Sequence, residues 1–306
     1  MAHYLITGGC GFIGRTLASQ LLAKDHSVSV LDDLSSGDRT LLPGRAKLHV
    51  GCITDAALVA SLLSGVDGVF HLAAVASVEK CITDWRASSH TNHYGSVTVM
   101  DAAVTAGLPV VAASSAAVYG DQQLMPIQER SSLAPLSPYA ADKIACEHHA
   151  ATLSHLRGGR LIMMRPFNVY GKGQDPKSPY SGVITHFAKR LQAGHVPIVQ
   201  GDGEQVRDFI HVKDVARGFA AAMARLGDML SPTFEVYNMC SGTPTSINSL
   251  AMQMMQLYGI ENRSPEYAPA RAGDIRMSYG DPRRTEATLK VVSAVGLRDG
   301  LSETLF

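Results

Sequence analysis

The chain has 306 residues, 46% of them apolar, with 27 basic and 27 acidic side chains that cancel. That length suits one large globular unit or two lobes sharing a cleft. The zero net charge argues against nucleic acid or an anionic membrane as partner, so any anion site must be built locally.

Short β-rich runs alternate with amphipathic stretches through the first half. HYLIT (3–7), SVSVL (27–31), KLHV (47–50), GVFHL (68–72), PVVAAS (109–114) and RLIMMR (160–165) read as strands, and their alternation with helical segments predicts an α/β fold with a doubly wound parallel sheet. Ile13, Leu17 and Leu21 recur at the spacing of a buried helix face, so the chain opens as strand, tight turn, helix, strand. A helix is expected over 87–106 and another after Tyr139. Beyond about residue 170 the texture shifts to Gly/Pro/Ser-bearing loops such as 170–182 and 265–276. Residues 1–170 are therefore expected to form one domain and 171–306 a smaller C-terminal substrate lobe, with about 205–240 returning to the first. The Met-rich stretch Met252, Met254 and Met255 reads as adaptable core.

Directly after the first strand, Thr7-Gly8-Gly9-Cys10-Gly11-Phe12-Ile13-Gly14 places Gly8, Gly11 and Gly14 in a GxxGxxG spacing that opens a helix. Such glycines permit a tight turn, let the backbone approach a pyrophosphate and let helix and strand pack closely, while free N–H groups at the helix start hold phosphate. This is the pattern of a dinucleotide-binding Rossmann unit. The second strand ends in Asp32-Asp33, eighteen residues past Gly14, where a carboxylate accepts both ribose hydroxyls and repels a 2′-phosphate, favouring NAD over NADP.

Tyr139 and Lys143 stand four apart after Ser137-Pro138, a helix-start signal, so they share a helical face. A serine-rich strand end, Ser114-Ser115-Ala116-Ala117-Val118-Tyr119-Gly120, precedes them; in a doubly wound sheet that end lies over the cofactor crevice. Metal binding is not expected from the twelve histidines. Neighbours such as His148 and His149 on one helix point about 100° apart, and no Cys, Asp or Glu joins them or His90 and His93 at a ligand spacing. His71, at a strand end, reads as a surface or packing histidine. Cys10, Cys52, Cys81, Cys146 and Cys240 form no CxxC pair, the opening MAHYLITGG lacks a secretory pattern, and no apolar run approaches membrane-spanning length, all of which fits a cytoplasmic protein with reduced thiols.

Taken in order, TGGCGFIG, LDDLSSG, HLAA, SSAAVYG, YAADK, RPFNVYG and GDGEQVRDFIHVKDVA resemble the extended short-chain dehydrogenase/reductase family, in its branch of nucleotide-sugar epimerases and dehydratases, over nearly the whole chain. The resemblance implies NAD held by Gly8, Gly11, Phe12, Ile13, Gly14, Asp32, Asp33, Ser36, Ile53, Leu72, Ala73 and Ala74. It makes Tyr139 the catalytic base, Lys143 its activator and the holder of the nicotinamide ribose, and Ser115 the relay to the sugar hydroxyl. A tyrosine ordinarily ionises near ~10, and nearby positive charge favours its charged form. It further implies a nucleoside diphosphate bound by Asn168, Arg207 and Arg271, a ribose by Asp274, and a sugar size gate at Ser278. A homodimer through the two long helices follows by analogy.

Two departures stand out. Cys52 occupies a position where the family commonly has the acid of Gly-Asp-Ile, and Asp33 stands where Asn is usual. Ala116 and Ala117 replace the acidic neighbours that dehydratases and decarboxylases carry beside the catalytic serine or threonine, leaving no general acid for elimination. The expected activity is thus C4 epimerisation of a UDP-hexose through a 4-keto sugar. A small Ser278 leaves room for an acetamido group, which points to UDP-GlcNAc/UDP-GalNAc, with UDP-Glc/UDP-Gal as a second pair. The alternatives are another nucleotide-sugar enzyme (UDP-glucuronate epimerase or decarboxylase, 4,6-dehydratase, 4-reductase) and a non-catalytic NAD-binding scaffold or sensor.

Overall fold

Strands that helices cover on both faces bury nearly every side chain, which is why GVFHL and RLIMMR form strands without polar alternation, whereas KLHV, at the sheet edge, stays partly exposed. The computed structural model describes residues 1–174, 182–260, 262–270 and 273–305. Its first half runs β1 (His3–Thr7), α1 (Phe12–Ala23), β2 (Ser27–Asp32), β3 (Lys47–Val50), α2 (Ala56–Ser61), β4 (Gly68–His71), α3 (Val78–Thr83), α4 (Trp85–Ser89), α5 (Ser96–Thr105), β5 (Val110–Ala113), α6 (Pro138–Arg157) and β6 (Arg160–Pro166). There follow β7 (Asn168–Tyr170), α7 (Val183–Gln192), β8 (Ile198–Gln200), β9 (Val206–His211), α8 (Val212–Gly227), β10 (Thr233–Met239) and β11 (Pro244–Ser246). The last elements are α9 (Ile247–Leu257), β12 (Glu266–Ala268), β13 (Met277–Ser278), α10 (Arg283–Leu289) and α11 (Leu297–Leu305).

Seven strands form one sheet in the order β10-β6-β5-β4-β1-β2-β3, and all its pairings are parallel. The chain order reverses between β1 and β4, so the carboxyl ends of these strands open a crevice at the topological switch point. On one face Leu17 and Leu21 of α1 share a core with Val215, Phe219 and Met223 of α8. On the other, Val59, Val99, Met100, Cys146 and Ala150 carry α2, α5 and α6. Of residues 205–240, β9 sits in a smaller sheet, between β11 and β13 and also paired with β7, whereas β10 joins the large sheet. A separate core between α7 and α9 contains Phe187, Leu191, Met254 and Met255, while Met252 stays on the surface. Among the described residues no helix is long and apolar enough to cross a membrane.

The helix expected over 87–106 is broken into α4, a π-helical stretch at His90–Gly95, and α5. Apolar periodicity does not register this widened turn. A buried amide accounts for its position: the Asn92 side chain accepts from the Val75 amide at 2.7 Å and donates to the Val75 carbonyl at 3.1 Å.

α6 starts where the Ser-Pro signal places it. The Ser137 hydroxyl caps the Ala140 amide, Pro138 occupies the first turn, and Gly158 closes the far end in left-handed conformation. One turn past Lys143, Glu147 is buried and receives a two-pronged contact from one edge of the Arg165 guanidinium, from Nε at 2.8 Å and Nη2 at 2.5 Å. The two side chains are 6% and 4% exposed. Glu147→Ala leaves the Arg165 charge in the interior without its counterion, and the expected cost is about 3–5 kcal/mol. Denaturant unfolding of the two proteins measures it.

Candidate active site

At the carboxyl end of β1 the chain turns through Gly8 at φ +72°, and a Cβ there would sit 2.6 Å from the Ala73 amide nitrogen. A Cβ at Gly14 would strike the Gly8 carbonyl oxygen. The turn and the close helix–strand approach therefore both require glycine. Gly11, the residue before α1, brings no side-chain cap and the first turn holds no acidic residue, so the positive helix end is left for an external anion. Asp32 is buried beside this turn. Its carboxylate accepts from the Cys10 amide at 2.9 Å and the Leu34 amide at 2.9 Å. Asp33 and Ser36 are exposed, with Asp33 accepting from the amide and hydroxyl of Ser35. Ile53 is buried, the Cys52 sulfur accepts from the Thr54 hydroxyl at 3.1 Å, and Leu72, Ala73 and Ala74 are half-buried along the β4 end. A glycine turn without side chains, an uncapped helix start and a carboxylate at the next strand end together fit a dinucleotide.

β5 ends against α6. Lys143 is 2% exposed; its ammonium donates to the Ala113 carbonyl at 2.7 Å and lies 5.7 Å from the centre of the Tyr139 ring. Two residues on from Ala113, Ser115 is extended (φ −161°) and opens the short turn Ala116–Tyr119, its oxygen accepting from the Ala117 amide. Tyr139 and Ser115 are half-buried. Ser115, Tyr139 and Lys143 thus belong to one strand-end and helix-start assembly.

The expected substrate residues gather on the smaller sheet. Arg207 on β9 forms an ion pair with Asp274 and donates to the carbonyls of Val206 and Ile275 at 2.9 and 2.7 Å. Burial pulls its guanidinium below the ordinary value, and Asp274 opposes that. Asn168 on β7 donates to the Asp208 carbonyl at 2.9 Å. Ser278 lies opposite Arg207 in the β13–β9 register. Arg271 falls outside the described residues. A half-buried arginine paired with one carboxylate supplies a cation that a diphosphate would have to share with, or take from, Asp274.

Sequence reasoning missed two positioning groups. Glu147 accepts from the Ser114 hydroxyl at 2.5 Å as well as from Arg165, and Arg165 also donates to the Tyr119 hydroxyl at 2.8 Å and the Glu129 carbonyl at 3.0 Å. A charge inside the apolar run RLIMMR was the available signal. His71 is a packing histidine with a defined proton. Ser96 donates its hydroxyl hydrogen to the Asn92 carbonyl, so the His71 Nε2–H donates to Ser96 (2.8 Å) and Nδ1 accepts from Thr7 (2.7 Å). Among the described residues no group of three or more His, Cys, Asp or Glu is placed to hold a metal ion.

A crevice at the strand ends, a side-chain-free glycine turn and a serine, tyrosine and lysine at the β5–α6 junction together fit a nucleotide-dependent oxidoreductase-type site. The family model described as the NAD dependent epimerase/dehydratase family matches residues 4–240. The chain belongs to that family and is an NAD-dependent enzyme. It is 34% identical over 309 aligned residues to a UDP-glucose 4-epimerase of Mycolicibacterium smegmatis, covering 98% of this chain and 96% of the relative. A UDP-glucose 4-epimerase of Thermotoga maritima, solved with UDP-glucose, superposes with a TM-score of 0.92 at 31% identity, covering 99% of this chain and 97% of the other. A UDP-N-acetylglucosamine 4-epimerase of Methanobrevibacter ruminantium, solved with UDP-N-acetylmuramic acid, gives the same TM-score of 0.92, identity of 31% and coverage of 99% and 97%.

Burial, reinforced by the Lys143 charge, lowers His71 from 6.5 to about 3. The unfolded chain therefore takes up this proton first as pH falls, and the corresponding stability, full above about 6.5, is lost progressively toward about 3. In His71→Gln the slope of unfolding free energy against pH across that window should fall by one proton, about 1.4 kcal/mol per pH unit. Urea melts at several pH values read the difference.

Proposed function

We propose that the protein interconverts the C4 epimers of a UDP-hexose through a 4-keto sugar, with UDP-GlcNAc and UDP-GalNAc as its preferred pair and UDP-Glc and UDP-Gal as the second. The reading rests on the β5–α6 junction, where Ser115, Tyr139 and Lys143 meet while Ala116 and Ala117 leave no acid beside the serine to drive elimination. The relatives named as 4-epimerases support it.

Gly8, Gly11, Gly14, the first-turn amides of α1 and Asp32 would hold the cofactor, and Ile53 with Leu72, Ala73 and Ala74 would wall it. NAD, when bound, supplies the acceptor and then the donor of the C4 hydride. Tyr139 takes the C4 hydroxyl proton and later returns it. Lys143 keeps two of its three N–H bonds after donating to Ala113, one for the nicotinamide ribose, while its charge favours the tyrosinate. Ser115 already accepts from the Ala117 amide, so its hydroxyl hydrogen is left for the sugar oxygen. Asn168, Arg207, Arg271 and Asp274 would hold the uridine diphosphate, keeping the keto sugar attached while the hexose turns to present its other face.

Incubation with UDP-GlcNAc, followed by the anomeric proton signals in NMR, should give the galacto epimer; a 4-keto-6-deoxy product would make the protein a dehydratase. Tyr139→Phe should bind NAD as the parent does and lose about 10²–10⁴-fold in turnover, the usual scale of a general base.

The small side chain at position 278, opposite Arg207 in the register, supports the acetamido preference. Ser278→Tyr should depress turnover of the N-acetylated pair at least about tenfold more than that of UDP-Glc/UDP-Gal, a difference of ~1.4 kcal/mol in transition-state binding. Equal losses on both pairs would remove position 278 as the gate.

A further inference from the structure

Away from the carboxyl ends of the strands, a furrow of about 600 Å³ is lined by residues of α1, α8 and the segment that follows α10. That volume is in the range of small-molecule sites. Leu21, Phe70 and Met223 form its apolar base, and α8 also lines it with Ala220, Ala221, Ala224 and Arg217. Val291 and Val292 close it from the C-terminal side. The strap they belong to is tied down, because Asp214 accepts from the amides of Ala294 and Val295 and Arg217 donates to the Val292 carbonyl at 2.9 Å.

Apart from the phenol of Tyr4, the polar side chains along this furrow are basic: Lys24, His26, Arg217 and Lys290, with no carboxylate among the lining residues. Arg217 is paired with Asp214. His26 accepts from the Ala2 amide at Nδ1, so its proton resides on Nε2 when the ring is neutral. Lys24 and Lys290 are exposed, and among the described residues neither ammonium has a hydrogen-bond or ion-pair partner. Lys290 sits at the left-handed residue closing α10, at φ +57°, a conformation that glycine adopts without strain. Two unpaired ammonium groups over a wall of alanine, leucine, valine and phenylalanine are complementary to a molecule with an apolar body and one anionic end.

We propose that this furrow is a binding site for a small amphipathic anion, an aromatic or branched aliphatic body bearing one carboxylate, sulfonate or phosphate-type head. The body lies on the α8 alanines, and the head stands between Lys24 and Lys290. The site is separate from the nucleotide crevice and does not depend on which sugar is epimerised.

The probe is 8-anilinonaphthalene-1-sulfonate, titrated by fluorescence into the full chain with NAD and UDP in excess so that the nucleotide crevice is filled. One dye per chain is expected. Lys24→Glu with Lys290→Gly should weaken it about tenfold or more, while the neutral dye N-phenyl-1-naphthylamine keeps its affinity within about twofold. The glycine relieves the left-handed strain at 290, so this variant retains its fold. Ala221→Phe, which fills the furrow, should exclude both dyes and leave the epimerisation rate unchanged. Unchanged sulfonate affinity in the charge variant, or displacement of the sulfonate dye in proportion to added UDP, overturns the proposal.

Discussion

The Arg165–Glu147 pair is the interaction on which the geometry of the candidate site depends. A guanidinium at the end of a strand covered on both faces loses its hydration, a cost of several kcal/mol that only excellent geometry offsets. Here Glu147 meets it with both oxygens, and the Tyr119 hydroxyl and Glu129 carbonyl take a further donor. The Tyr119 ring also lies under the guanidinium, 4.8 Å from centre to Cζ. Because Glu147 is one helical turn from Lys143 and also receives the Ser114 hydroxyl, the same pair sets the height and rotation of α6 against the end of β5. With α6 placed so, Lys143 reaches the Ala113 carbonyl, and Ser114 carries its neighbour Ser115 to the same strand end.

The network continues into the loop between β5 and α6. Tyr119 donates to the Asn238 side chain on β10, and Asn238 in turn donates to the Ile127 carbonyl and to the Glu129 carboxylate. A polar core with every partner supplied fixes one arrangement more sharply than apolar packing does. Asp208 plays the corresponding part in the second half of the site. It is fully buried and accepts from the Ser241 amide and hydroxyl and from the Gly242 and Gly280 amides. Burial raises its carboxyl above the ordinary value while these donors pull it back. The turn after β10 and the end of β13 are thereby held to β9, the strand that carries Arg207.

A third buried chain, Thr7 to His71 to Ser96 to the Asn92 carbonyl, runs from the residue before the glycine turn to the π-helical stretch. Cys146 of α6 also donates to the Asn92 carbonyl. The dinucleotide turn and the helix of Tyr139 and Lys143 are therefore linked through one widened helical turn, with a neutral imidazole at the middle of the chain.

What the sequence determined by itself was local. Strand runs, the GxxGxxG spacing, the Ser-Pro helix start and the four-residue step from Tyr139 to Lys143 depend on backbone sterics and helix period, which neighbouring residues set together. The ordered motifs also made the family legible. The tertiary structure alone decided which polar groups face one another: Ser114 with Glu147 across 33 residues, Tyr119 with Asn238 across 119, Arg207 with Asp274 across 67. It also decided that the long helix opens into a π turn, and that His71 stays neutral. These depend on desolvation and on partners far apart in the chain, and no local pattern encodes either, although a lone arginine inside a buried strand announces that a partner must exist.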